Sequence, residues 1–425
     1  MIPLLTRRPA LAALAGLVVL GAAIAAMVFV LTRPDAPANV NADATGPVPA
    51  VAPDPGPEPG IFNDRVVFGQ TAAFSGPAQG LGIEMRRGIE AAFAEANQSG
   101  GVNGRRLELV SLDDAYEPEA AITNAQQLIG VQEVFALIGS VGTPTSRSTV
   151  PVAGEAGVPF IAPFTGAAFL RDPQLEHVIN LRASYAQETE TMVGLFVDRR
   201  GFDRIGVLYQ DDSFGRTGYN GARDALARRG LEPVGVGLYP RNTTAIKTAL
   251  LDLSAAEPEA IILIGAYEPV GTLISLAKSI GLDSEFIAIS FVGSNSLAQQ
   301  LGPDGEGVKV TQVVPLPTDR SVPIVVEYLD AMASHDVTGL PGFVSLEGYL
   351  AGRLAIAGLA ACGPDLSRTC FVDGLKSLVE FELGGFPLSF GPDDNQGSDS
   401  VFLTEIGPEG RFRPLAPDNP PAVPV

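Results

Sequence analysis

The chain alternates short apolar runs with amphipathic stretches, and it does so in two successive series. The first runs from "RVVFGQTAAFSG" through the helical "GIEMRRGIEAAFAEANQSG", the tight turn "GGVNG" and the strand "RRLELVSLDD". It continues with the helix "PEAAITNAQQLIG", the strand "VFALIGS", a helix from Thr145 to Ala156 and the strand "VPFIAP". The second starts at "RIGVLYQDDSFG" and passes through "GYNGARDALARRG", "VGVGLYP", "TAIKTALLDLSAAEP", "AIILIGAY" and "VGTLISLAKSIG" to "EFIAIS". Parallel strands need a crossover long enough to hold a helix, so this order predicts parallel sheets flanked by helices. The predicted fold class is α/β, with two doubly wound lobes and a cleft between them. A length of 425 residues, 46% of them hydrophobic, suffices for two cores.

Open parallel sheets bind ligands beyond the carboxyl ends of their strands, where the following helices start. Five such places share one chemistry: "TAAFSG" (Thr71–Gly76), "GSVGT" (Gly139–Thr143), "PFTGA" (Pro163–Ala167), "DDSFG" (Asp211–Gly215) and "GAYEP" (Gly265–Pro269). Each is a glycine-containing turn with a hydroxyl or an aromatic. The stretch "ALIGSVGTPTSRSTV" is the richest. Thr143 and Pro144 suit a helix cap, and the free N–H groups of a helix start also suit an anion. Repetition of the pattern across both series favours the lining of a binding site.

Ahead of the lobes, Arg7 and Arg8 precede an uncharged run from Leu11 to Leu31. As a helix it would reach about 31 Å, the thickness of a bilayer core. The expectation is a transmembrane anchor or signal sequence at 11–31, with residues 1–10 cytoplasmic and the remainder exported. Residues 32–62, rich in Pro and Ala, read as a disordered linker, and 415–425 as a disordered tail. Export makes a local disulfide the leading reading of Cys362 and Cys370 in "ACGPDLSRTCF", with two buried thiols as the alternative.

Several function classes are excluded. A balance of 28 basic to 48 acidic residues, net −20, argues against a nucleic-acid partner. Two histidines, His177 and His335, with no Cys/His cluster, argue against zinc, and no other metal or cofactor is expected. There is no G-x-S-x-G elbow, and Gly80-Leu81-Gly82 lacks the third glycine of a dinucleotide fingerprint. "DDNQGSD" (Asp393–Asp399) lacks the acid that closes a calcium loop. The chain is not expected to be an enzyme.

"SGPAQGLGIEMRRGIEAAFAEANQSGGVNGRRLELVSLDD" followed by "YEPEAAITNAQQLI", together with "VLYQDDSFGRTG" and "GGFPLSFGPDDNQGSDSVFLTEI", resembles the leucine/isoleucine/valine-binding proteins, type I periplasmic solute-binding components of ABC importers. The resemblance covers roughly Asp64 to Pro414. It implies two Rossmann-like lobes joined by a three-strand hinge, lobe 1 from 63–181 plus 315–383 and lobe 2 from 182–314 plus 384–414. The implied crossings fall near Leu181–Ala183 and Val313–Pro317.

It also implies an extracytoplasmic receptor for an amino acid or relative, a monomeric head, an inner-membrane ABC permease as partner, and a periplasmic location, tethered or free. A membrane-tethered sensing module of the same fold is the alternative. Ser75 and Leu81 would line the first turns, Leu81 standing where relatives can carry Tyr. Gly142 and Thr143, with Phe164, Thr165 and Gly166, would hold the solute carboxylate. Phe214 and Tyr267 would close from the opposite lobe. Ser290 occupies the position aligned with the acid that pairs with a ligand ammonium. Either Glu268 or another acid therefore substitutes, or the ligand lacks an α-amino group.

Overall fold

The computed structural model describes residues 58–335 and 339–415. The predicted membrane segment at 11–31, the linker up to residue 57 and the tail from 416 lie outside the described residues. Strands β1 (Arg65–Ala72), β2 (Arg106–Asp113), β3 (Ala136–Ile138), β4 (Phe160–Ile161) and β5 (Val178–Ile179) form one sheet in the order β2-β1-β3-β4-β5. All its pairs are parallel, with register Phe68 to Leu109 and to Ala136.

The second sheet contains β6 (Ile205–Gln210), β7 (Gly235–Tyr239), β8 (Ala260–Ile264), β9 (Glu285–Ala288), β10 (Lys309–Gln312), β13 (Phe402–Ile406) and β14 (Phe412–Pro414). Its order is β14-β13-β10-β9-β8-β6-β7, and the β14 and β13 edge is antiparallel. The interior strand β8, "AIILI", is buried at every position, as a parallel strand covered on both faces must be.

Helices Pro323–His335 and Phe343–Cys362 return to the first lobe and pack on Gln79–Gln98. Among the described helices Phe343–Cys362 alone has the length and apolar composition to cross a membrane, but 78% of its apolar window is buried in the protein. Glycines let its backbone approach the partner helix: a Cβ on Gly88 would stand 1.9 Å from the Ser345 carbonyl oxygen. Cys362 and Cys370 are bridged, Cα to Cα 5.9 Å, joining this helix to Arg368–Lys376.

Residues 58–62, expected to be linker, belong to the fold, with Ile61 buried and bridged to Val66. Two further local features differ from the sequence expectation. The helix after β3 spans Thr143–Glu155, and its N-cap is Gly142 at φ 103, so Thr143 lies inside the first turn and does not cap it. The return to the second lobe comes later than residue 384. Gly384 and Gly385, at φ 57 and 86, turn the chain back as a hairpin between β11 (Phe381–Leu383) and β12 (Phe386–Leu388). Ile324 N–H donates to the Gly384 carbonyl at 2.8 Å, and Asn180 N–H to that of Asn395 at 2.7 Å. Residues 384–397 therefore stay against the first lobe, and the chain joins the second sheet only at Phe402.

Candidate functional site

The loops after β3 and β4 are knitted together. Phe164 N–H donates to the Ser140 carbonyl at 2.8 Å and Gly142 N–H to that of Phe164 at 3.3 Å. Gly142 is required here, since a Cβ would lie 2.2 Å from the Tyr116 ring. This juxtaposes two buried hydroxyls, Thr143 Oγ1 and Thr165 Oγ1, at 2.7 Å. Thr145 Oγ1 turns back to the Gly142 carbonyl at 3.0 Å. Ser140 Oγ and Ser146 Oγ are buried without a hydrogen-bond partner among the described residues. The first N–H groups of a helix have no intrahelical acceptor, so this start offers donors to an anion, as the dipole also does.

Aromatic rings close the seam above it. Phe291, from the segment after β9, is fully buried, with ring centroids 4.4 Å from Phe214, 5.4 Å from Phe164 and 5.9 Å from Tyr116. Phe164 and Tyr116 belong to the first lobe, Phe214 and Phe291 to the second. Phe214 is positioned by Asp212, whose carboxylate accepts from the Phe214 and Gly215 N–H groups at 2.9 and 3.2 Å and caps the helix Ser213–Ala227. Gly166 packs against Tyr185, whose ring meets Phe214 at 5.3 Å.

A charged cluster lies at the hinge side. Arg182, in the first crossing and 1% exposed, donates from Nη2 to Ser290 Oγ, and its guanidinium sits 4.6 Å from the centre of the Phe164 ring. Its Nε faces Glu347 Oε1 at 3.3 Å. Glu188 accepts from Ser290 N–H and Oγ, each at 3.0 Å, and from Thr311 Oγ1 at 2.6 Å. Burial pushes the Glu188 carboxyl up, while Arg182 and these donors pull it down. Burial pushes Glu347 up to about 7, with Arg182 opposing. Arg171 completes the cluster, donating from Nη2 to the Arg182 carbonyl at 2.9 Å and from Nη1 to that of Thr165 at 3.1 Å.

The structure thus brings together Gly142, Thr143, Phe164, Thr165, Gly166, Phe214 and Ser290, directly or through Phe291, Tyr185 and Arg182. Four other expected residues lie elsewhere. Ser75 is exposed and donates to Asp113 Oδ2 at 2.5 Å, bracing its own turn. Leu81 is buried against Gly293. Tyr267, in the first turn of the helix Tyr267–Ser279, accepts from Gly80 N–H at 3.3 Å across the seam. Glu268 lines an outer groove of about 650 Å³ with Gln79, Thr244 and Gln300. The acid beside Ser290 is Glu188 instead.

Arg182, Glu188, Glu347 and Phe291 escape sequence reasoning. A signal existed for the first two: "LRASYAQETE" places an arginine and an acid around a capping-box serine, Ser184, where a chain crosses between lobes. Among the described residues, no group of three or more His, Cys, Asp or Glu could hold a metal ion.

Comparison with known proteins follows the same lines. A family model described as periplasmic binding protein matches residues 65–411. The Leu/Ile/Val-binding protein homolog 7 of Brucella abortus (strain 2308) is 31% identical over 206 residues, covering 46% of this chain and 51% of the relative. The match therefore spans about half the length of that curated relative. The crystal structure of "a possible leucine/isoleucine/valine-binding protein" from Rhodopirellula baltica SH 1 superposes with a TM-score of 0.81 at 39% identity, covering 84% of this chain and 98% of that one. A substrate-binding periplasmic protein from Ralstonia solanacearum gives a TM-score of 0.78 at 27% identity, over 82% and 99% of the two chains.

Proposed function

The chain belongs to the periplasmic binding protein family, of the leucine/isoleucine/valine-binding type, and from that premise we propose that it is a receptor which closes two lobes on a small carboxylate-bearing solute. The solute is an amino acid or a close relative, taken up on the periplasmic side and passed to an ABC-type importer. The reading rests on one observation above all. At the start of the helix Thr143–Glu155, a hydroxyl pair and the buried, unpartnered Ser140 and Ser146 hydroxyls stand beside the Phe164 loop, whose ring packs on Phe291 of the other lobe. Buried polar atoms left without partners are costly, and a carboxylate supplies the acceptors they lack. The names of the relatives point the same way.

A second reading concerns the amine. The Glu188 carboxylate already accepts three hydrogen bonds, and Glu347 faces Arg182. Both acids near Ser290 are thus engaged, which favours an organic acid or amide without an α-amino group. A thermal-shift screen of the purified chain against amino acids, their deaminated acids and amides separates the two, because a ligand specific for the native state raises the melting temperature with concentration. Stabilisation by amino acids alone selects the first reading, and equal or greater stabilisation by deaminated acids selects the second. A screen in which no compound shifts the melt sinks the receptor reading.

A further inference from the structure

A guanidinium carries five N–H donors and no acceptor, so a buried arginine needs several partners. Arg182 has few. Nη2 donates to Ser290 Oγ, whereas Nε, facing Glu347 at 3.3 Å, lacks hydrogen-bond geometry, and Nη1 has no hydrogen-bond partner among the described residues. Beside it the Tyr185 hydroxyl, buried near Thr165 and within the field of Arg182, makes no well-formed hydrogen bond. Arg182 lies against the Phe164 ring and Tyr185 beside Thr165, two residues tied to the helix start through Gly142 and Thr143. Two sets of unused donors therefore border the same Phe164–Thr165 loop, one at the helix start and one at Arg182.

We propose that Arg182 is a ligand-contacting, specificity-determining residue whose free N–H edge receives a second carboxylate, so that the seam selects a solute with two acid groups over a branched-chain amino acid. The inference rests on the receptor reading above and names its solute class, a short dicarboxylic acid or an acidic amino acid. One carboxylate goes to the hydroxyls around Thr143 and the other to the guanidinium, whose planar fork matches a carboxylate through two parallel hydrogen bonds. Glu188 is held by Ser290 and Thr311, so Glu347 is the acid with which the solute competes for Arg182.

The test is titration calorimetry of the full chain at about pH 8, above the range in which Glu347 keeps its proton, with glutarate, glutamate and leucine. Glutarate or glutamate is expected to bind at least about tenfold more tightly than leucine, and Arg182→Gln to abolish that preference. Glu347→Gln removes the competing carboxylate and is expected to strengthen glutarate binding, a gain that defective folding cannot produce. Leucine binding as tightly as the diacids, an Arg182→Gln chain that keeps the preference, or no gain in Glu347→Gln overturns the inference and leaves the receptor reading standing. If none of the three probes binds and the screen above is also silent, both fail together.

Discussion

At the residue scale, Thr143 and Glu347 make separable predictions. Thr143 does not cap its helix, and its hydroxyl is shared with Thr165 at 2.7 Å. Thr143→Ala is therefore expected to weaken the cognate carboxylate by about 1–3 kcal/mol, the range for a lost charge-assisted bond, while lowering stability by only about 1 kcal/mol. Calorimetry showing unchanged affinity would remove Thr143 from the site. Glu347 concerns pH. Its carboxyl, facing Arg182 with Glu188 and Arg171 nearby, is pushed up to about 7 by burial. Between about 4.5 and 7 the folded chain keeps a proton that the unfolded chain has released, so this group makes stability fall as pH rises through that window. Glu347→Gln removes the dependence. Relative to wild type, the variant's unfolding free energy is expected to gain about 1–3 kcal/mol between pH 4.5 and 7.5, read by urea titration. Parallel pH profiles would show that Glu347 stays ionised in the folded chain.

At the element scale, the contact between Gln79–Gln98 and Phe343–Cys362 depends on close backbone approach. A Cβ at Gly88 would meet the Ser345 carbonyl oxygen at 1.9 Å and Tyr349 N at 2.5 Å, and one at Gly348 would meet the Met85 carbonyl oxygen at 2.2 Å. These obstacles are backbone atoms, which cannot swing aside as side chains can. Gly88→Ala should force the helices apart and lower stability by about 1–3 kcal/mol, despite the better helix propensity of alanine. A thermal melt at or above the wild-type midpoint would contradict that packing. The effect is invisible in the sequence, where "MRRGIEAAF" and "SLEGYLAG" show small residues but not the element they face.

At the scale of the whole molecule, polar contacts hold the lobes closed along the rim of the cleft. Arg241 Nη2 reaches Glu117 Oε2 at 2.5 Å, and Asn242 Nδ2 donates to Glu117 Oε1 at 2.7 Å and to the Ala115 carbonyl at 3.1 Å. Asn295 Nδ2 donates across the same seam to the Pro341 carbonyl at 2.9 Å. The Arg241 and Glu117 side chains are 22% and 43% exposed, so water and salt weaken the pair and it contributes about 1 kcal/mol or less to closure. Arg241→Ala is expected to enlarge the radius of gyration of the unliganded chain in small-angle scattering and to speed solute release about two- to fivefold. Scattering curves and release rates identical to wild type would assign closure to the aromatic seam alone.

The amino-acid sequence by itself determined the alternating strands and helices of the two series, from β1 to β4 and from β6 to β9, and hence the parallel part of both sheets, because hydrophobic period and turn chemistry are local properties that each segment carries wherever it ends up. It also marked the hydroxyl-rich start after "ALIGS" and a cysteine pair close enough to bridge. The partners in the seam were decided only by tertiary structure. Glu188 meets Ser290 across 102 residues, and Phe291 meets Phe164 across a gap that no short-range pattern spans. The family resemblance left Glu268 as one candidate acid for the solute ammonium, yet the helix Tyr267–Ser279 carries it to the outer groove, while the first crossing carries Arg182 and Glu188 inward. Which charges share a buried site depends on how two sheets close on one another, and that geometry arises from long-range packing of the whole chain.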